Sequence, residues 1–297
     1  MRLRRTMILV VAALAAAAAQ QLPAAASAPH VTGLVRAISY GTGVTSGPST
    51  TRAYCPDGKR VISGGGGVWW DKFTSPDQVV LSAMQPVHPL SGDDFYQVTG
   101  EQTQTGQSGT WNVFALAICA DPIEGMHIVT TTAGPAPSSS SWQLAQPTCP
   151  DGEKVLGVGG VVIPSYGQVA LQVERASTDG QLAYIGAHED ADGYAGTWNI
   201  LGQAVCAPEP AGYRVAIGNS PQSASETLKS ASATCTYEEN LVGTGGATTF
   251  NAPGGVNLLQ VQPALTIPDD HVYASAIENT PTSANWDFIV SESICVT

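Results

Sequence analysis

Three tyrosine–glutamate pairs are the residues best placed to do chemistry: Tyr96 with Glu101, Tyr184 with Glu189, and Tyr273 with Glu278. Further acids stand close by, at Asp93-Asp94, Asp190 and Asp192, and Asp269-Asp270. An aromatic ring covers the apolar face of a sugar while a carboxylate accepts its hydroxyl protons, so three such sites would suit a carbohydrate ligand. Clustered carboxylates also suit Ca²⁺, which takes several hard oxygen ligands. The run His188-Glu-Asp-Ala-Asp192-Gly carries part of a calcium-loop pattern and lacks the rest. No metal ligands are therefore assigned, and no cofactor is expected. Residues five apart on a strand face opposite sides of a sheet, so core tyrosines beside solvated acids are the plainer reading of the same pattern.

A second candidate occurs once. Trp69-Trp70 follows directly on Gly64 to Gly67. Neighbouring strand residues point to opposite faces, so one of the two rings is expected at the surface, as a ligand-binding aromatic. Trp111, Trp198 and Trp286 differ in recurring at one position, upstream of a cysteine. They read as core residues packed on a disulfide, as in small sandwiches.

Catalysis finds no such support. The chain has no G-x-S-x-G elbow and no H-E-x-x-H. Its five histidines, His30, His88, His127, His188 and His271, fall at unrelated positions. The glycine runs do not have the G-x-G-x-x-G spacing of a phosphate cradle, and no helical pattern follows them. No catalytic residue is assigned, and the protein is not expected to be an enzyme.

The elements that must position these residues are written three times. Cys149-Pro-Asp-Gly-Glu-Lys-Val-Leu-Gly-Val-Gly-Gly repeats Cys55-Pro-Asp-Gly-Lys-Arg-Val-Ile-Ser-Gly-Gly-Gly. It returns, diverged, as Cys235-Thr-Tyr-Glu-Glu-Asn-Leu-Val-Gly-Thr-Gly-Gly. In Cys-Pro-Asp-Gly the proline and glycine set a turn that feeds a strand. Glycines at one offset in all three copies call for a bulge, a sharp bend or a close backbone approach. Alternating runs such as Gly33-Leu-Val-Arg-Ala-Ile38 and Val79-Val-Leu-Ser-Ala-Met84 read as half-buried strands. The last strand of each copy runs from the recurrent tryptophan to the second cysteine.

The expected fold is all-β. Three tandem repeats of about 87 residues, at 33–120, 125–207 and 212–297, each form a roughly six-stranded antiparallel unit. The short joins between copies favour packing into a pseudo-threefold assembly, a β-sandwich or β-prism-like body. Residues 1–28 read as a secretion signal, with Arg2, Arg4 and Arg5 before an apolar run of small residues. No later segment reads as a membrane anchor. Without those arginines the formal charge of −12 becomes −15, which repels nucleic acid and anionic lipid. Six cysteines in an exported chain imply disulfides. One early and one late cysteine per copy selects Cys55–Cys119, Cys149–Cys206 and Cys235–Cys295.

The Cys-Pro-x-Gly-x-x-Val-x-Gly-Gly-Gly pattern, closed by a tryptophan and a cysteine, resembles repeats in secreted actinobacterial proteins of unknown function. It is also similar to the vitelline-membrane outer-layer β-prism, which repeats Cys-Pro-x-Gly three times. In outline the strands resemble H-type lectin units, which assemble as trimers. These resemblances imply a repeated β architecture. The role expected from the whole chain is a secreted, non-catalytic binding protein for a polysaccharide or cell-envelope glycan, working through repeated sites. The alternatives are an extracellular structural or protein-interaction component and, third, a secreted hydrolase. The sequence leaves the oligomeric state open.

Overall fold

The computed structural model describes residues 28–70, 76–133, 141–221, 228–248, 255–265, 270–280, 286 and 289–297. The expected secretion signal and the side chain of Trp70 lie outside them. Strands and turns make up the described residues, and no helix among them is long and apolar enough to cross a membrane. The first copy supplies β1 (Val35–Tyr40), β2 (Ser49–Tyr54), β3 (Arg60–Trp70), β4 (Val79–Val87), β5 (Phe95–Gln102) and β6 (Trp111–Ala120). The second supplies β7 (His127–Ala133), β8 (Trp142–Ala145), β9 (Glu153–Ile163), β10 (Val169–Ala176), β11 (Ala183–Glu189) and β12 (Asn199–Pro208). The third supplies β13 (Arg214–Asn219), β14 (Leu228–Thr234), β15 (Asn240–Thr248), β16 (Val256–Pro263), β17 (His271–Glu278) and β18 (Ile289–Val296).

Alternation decides the simplest strands. In β2 and β14 every second residue is buried, as a strand with one face on the core requires. The turn motif works as its residues dictate. Gly58 and Gly152 take φ of +77° and +83°, and the amides of Lys59 and Glu153 close the turn on Pro56 and Pro150. Copy three has neither proline nor glycine there. It keeps the turn through Glu239 N–H to Thr236 O, and Glu239 Oε2 accepts from Thr236 N–H at 2.7 Å.

The copies do not fold as separate units. Three six-stranded antiparallel sheets run β1-β6-β3-β16-β17-β14, β2-β5-β4-β9-β12-β7 and β13-β18-β15-β10-β11-β8. Each copy therefore splits, placing its first, sixth and third strands in one sheet and its second, fifth and fourth in another. Every sheet is completed by a different copy, and the exchange is cyclic. The seams are short, at Gln260↔Gly67 and Val261↔Gly66, Ala83↔Val161 and Met84↔Gly160, and Val173↔Ala247 and Glu174↔Gly246. This is the β-prism-like alternative, closed by sharing sheets.

The glycine strands meet where the three copies converge. A Cβ on Gly157 would stand 2.2 Å from the Ile62 carbonyl oxygen, and one on Gly243 would stand 2.0 Å from that of Leu156. The third equivalent, Ser63, keeps its side chain and accepts from Thr244 N–H at 3.2 Å. The Thr244 hydroxyl donates to the Gly64 carbonyl. Ladder shifts at Val61/Ser63 and Leu241/Gly243 supply the bulge as well. One continuous apolar core draws on all three copies, with Trp111, Trp198, Trp286 and Tyr96 among its largest members.

The disulfides are Cys55–Cys119, Cys149–Cys206 and Cys235–Cys295, with Cα separations of 5.8, 5.5 and 5.6 Å. Bridges of this kind fit an oxidising compartment. The recurrent tryptophans are buried as expected but do not pack on the bridges. Trp111 opens β6 opposite Trp70, while Cys119 lies at the far end of the strand opposite Val61. A strand rises about 3.3 Å per residue, so ring and disulfide secure opposite ends.

Candidate functional site

Residue pairing sets the true equivalences between copies. Val79, Val169 and Val256 stand opposite Gln102, Glu189 and Glu278. The counterpart of the two glutamates is thus Gln102, and Glu101 is one residue out of step. Tyr96 is out of step as well. It aligns with Ala183 and Val272, is 1% exposed, and donates its hydroxyl to Val158 O at 3.4 Å. Tyr184 and Tyr273 point to the other face, where copy one carries Gln97. The six residues do not make three equivalent sites.

The glutamates have a structural task instead. Buried Trp198 donates its indole N–H to Glu189 Oε1 at 2.8 Å, and Trp286 donates to Glu278 Oε1 at 2.9 Å. Glu189 Oε2 also accepts from Tyr194 N–H. Beside it, burial first and then the neighbouring Asp192 push the Asp190 carboxyl up to about 7. Glu189 is thus committed to the Trp198 indole and the Tyr194 amide, and Asp190 lies against Asp192. Cys235, Glu239 and Cys295 also converge, but both sulfurs are spent in their disulfide.

Of the copy-one tryptophan pair, the ring of Trp69 lies at the surface, while the side chain of Trp70 is outside the described residues. Trp69 is 53% exposed and meets Tyr40, itself 56% exposed, edge to face at a centroid separation of 5.7 Å and 72°. Tyr40 in turn lies 6.2 Å from the Phe114 ring. These three, with Val68, Gln260 and Gln262, line a groove of about 260 Å³ on the outer face of the first sheet. Four strands build it. Register aligns Tyr40, Phe114, Gly67 and Gln260 in one row across β1, β6, β3 and β16. Gly67 is required there, because a Cβ would stand 2.3 Å from Gln260 Cβ. Tyr273 pairs with Gln262 on the adjoining strand.

The other two seams carry the same row with different chemistry. The second sheet has Thr132, Leu201, Val161 and Ala83, with Ile163 in the place of Trp69. The third has Asn219, Val290, Ala247 and Val173. Its three apolar members form a small cluster that Trp142 and Tyr184 pack against. Among the described residues, only the first sheet joins exposed rings to two side-chain amides along this row.

Sequence reasoning found Trp69 and missed Tyr40, Phe114, Gln260 and Gln262, which lie on other strands and, for the glutamines, in another copy. The singularity of Trp69-Trp70 in an otherwise threefold pattern was the available signal. No family model and no curated protein matches the chain.

Proposed function

We propose that this is a secreted, non-catalytic binding protein that takes a neutral sugar unit of a polysaccharide or cell-envelope glycan in the Tyr40–Trp69 groove. The observation that carries the reading is the contrast between the three seams. The row that reads Thr132, Leu201, Val161 and Ala83 in the second sheet, and Asn219, Val290, Ala247 and Val173 in the third, holds Tyr40, Phe114, Gly67 and Gln260 in the first, with the exposed Trp69 ring and Gln262 beside it. Ring faces cover the C–H side of a pyranose, and amides pair with its hydroxyls while carrying no charge. Among the described residues the lining contains no acid and no histidine, which suits binding without cleavage. Three disulfides and the N-terminal pattern of small apolar residues behind arginines support export.

The test is a titration of the oxidised protein against neutral oligosaccharides first ranked on a glycan array. Trp69→Ala and Tyr40→Ala are expected to weaken binding at least roughly tenfold, as for aromatic anchors elsewhere. Equal binding by both variants, or silence of the unaltered protein across the array, would overturn the reading. A protein partner would then be the better assignment for the exposed Ile38, Tyr40 and Trp69.

A further inference from the structure

The described arginines other than Arg52 all pair with a carboxylate. Arg36 meets Asp270, Arg60 meets Asp94 at 2.6 Å, Arg175 meets Glu292 at 2.9 Å, and Arg214 meets Glu239 at 2.5 Å. Among the described residues Arg52 has no acid partner. It lies on the outer face of β2, its guanidinium 5.0 Å from the Phe95 ring centre. Tyr54, 51% exposed, stands against the same ring at 5.2 Å. Arg52 thus stands apart from the other described arginines, with an aromatic ring beneath it and no ion pair among the described residues.

The hydrogen bonding gives the ligand's sign. Arg52 Nε–H donates to Gln97 Oε1 at 2.9 Å. A guanidinium can only donate, so the Gln97 amide is fixed with its oxygen inward and its NH₂ outward. The terminal nitrogens of Arg52 and the Gln97 NH₂ then offer donors alone, beside an exposed ring. Neither other copy rebuilds this surface. Where copy one pairs Tyr54 with Phe95, the others pair Thr148 with Leu182 and Thr234 with His271.

We infer that Arg52, Tyr54 and Gln97 form a second site, which takes a carboxylate-bearing sugar of the hexuronate class. The guanidinium fork matches the two oxygens of a carboxylate, Tyr54 covers the ring's apolar side, and the Gln97 NH₂ donates to a hydroxyl. The site lies on a different sheet from the Tyr40–Trp69 groove and stands whether or not that groove binds sugar. Arg52 and Tyr54 are both exposed on the outer face of their strand, so a pyranose unit can reach guanidinium and ring together from solvent.

The experiment titrates the oxidised protein at low salt with oligogalacturonate, with the neutral galactose oligomer, and with an N-acetylated dipeptide bearing a free carboxylate. Galacturonate is expected to bind, to weaken with added salt, and to lose roughly tenfold or more with Arg52→Gln, the range for hydrogen bonds to a charged group. Arg52→Lys should recover part of the loss, because charge returns without the fork. Trp69→Ala should leave this binding unchanged. Equal affinity of Arg52→Gln and the unaltered protein, or equal affinity for the galactose oligomer, would overturn the site. Arg52-dependent binding of the dipeptide as tight as that of galacturonate would overturn the sugar assignment. Arg52 and Tyr54 are exposed, so these variants should fold.

Discussion

The indole N–H of Trp198 is fully buried and finds its acceptor in Glu189, 2.8 Å away on a neighbouring strand. Trp286 and Glu278 repeat the arrangement in copy three. Copy one does not: its equivalent residue is Gln102, whose amide is turned to the carbonyls of Thr45 and Gln107, and Trp111 Nε1 has no acceptor among the described residues. A recurrent tryptophan thus recurs in ring packing while its polar end is handled differently in one copy.

Glu189→Ala should therefore cost about 2–3 kcal/mol, because it strands both the Trp198 indole and the Tyr194 amide. Glu189→Gln keeps an acceptor oxygen and should cost less. Gln102→Ala, which strands no buried indole, should cost least of the three. Urea unfolding of the variants gives the order, and a Glu189→Ala protein as stable as the parent would show that the bond is dispensable.

A pH effect follows from Glu292, which is wholly buried with Arg175 Nε 2.9 Å away and the Ala176 amide donating to it. Burial pushes its carboxyl up from 4.5 to about 7, against the lowering pull of Arg175. Between those values the folded chain holds a proton that the unfolded chain has released. Its contribution is greatest at low pH and is lost as pH rises through about 7. The full span is on the order of 3 kcal/mol. Relative to the parent, Glu292→Gln should gain in unfolding free energy between about pH 5 and about pH 8. A constant difference across that range would contradict the assignment.

Two glycines of the repeated motif should respond differently to alanine. At Gly157 the new methyl meets the Ile62 carbonyl at 2.2 Å where strands from two copies converge, and the loss should be roughly 3 kcal/mol. At Gly152 the surroundings are open and only the φ of +83° is strained, for a loss of roughly 1 kcal/mol. Thermal melts of the two variants side by side make the comparison.

Much of this was legible because short-range rules governed it. The period of two in Ser49–Tyr54, the Pro-Asp-Gly turn and the cysteine placement each act within one copy. The seams were not legible, since two residue pairs such as Ala83↔Val161 and Met84↔Gly160 join distant segments and leave no periodic trace. Tyr96 with Glu101 misled for a related reason. A matching letter at a matching spacing looked equivalent, but strand pairing counts from Asp94, whose carbonyl accepts from Cys55 N–H as that of Gln181 does from Cys149 N–H. One residue of slip moves a side chain to the other face. Tyr40 escaped notice because its partners Phe114 and Trp69 reach it only through cross-strand register.

A truncation tests the shared sheets. A chain ending at Pro208 leaves β3 without β16 and β10 without β15, so two of the three sheets are cut to half and the core that copy three shares with them is uncovered. It should lack a cooperative melt and associate, as seen by circular dichroism and size-exclusion chromatography. A monomeric, cooperatively folding truncation would mean that the copies are independent after all.

The cyclic exchange also fixes arithmetic. A solenoid can gain or shed a unit at its open end, whereas here every half-sheet is already spoken for and there is no end at which to add. A chain carrying a single copy could complete the same sheets only by assembling as a trimer, and such an assembly would come apart on dilution. Written three times in one polypeptide, the association becomes indifferent to concentration, and each copy is released to vary alone. Trp69, Tyr40 and Arg52 stand in copy one without counterparts in the other two for that reason: no symmetry requires that what one position gains be repeated at its equivalents.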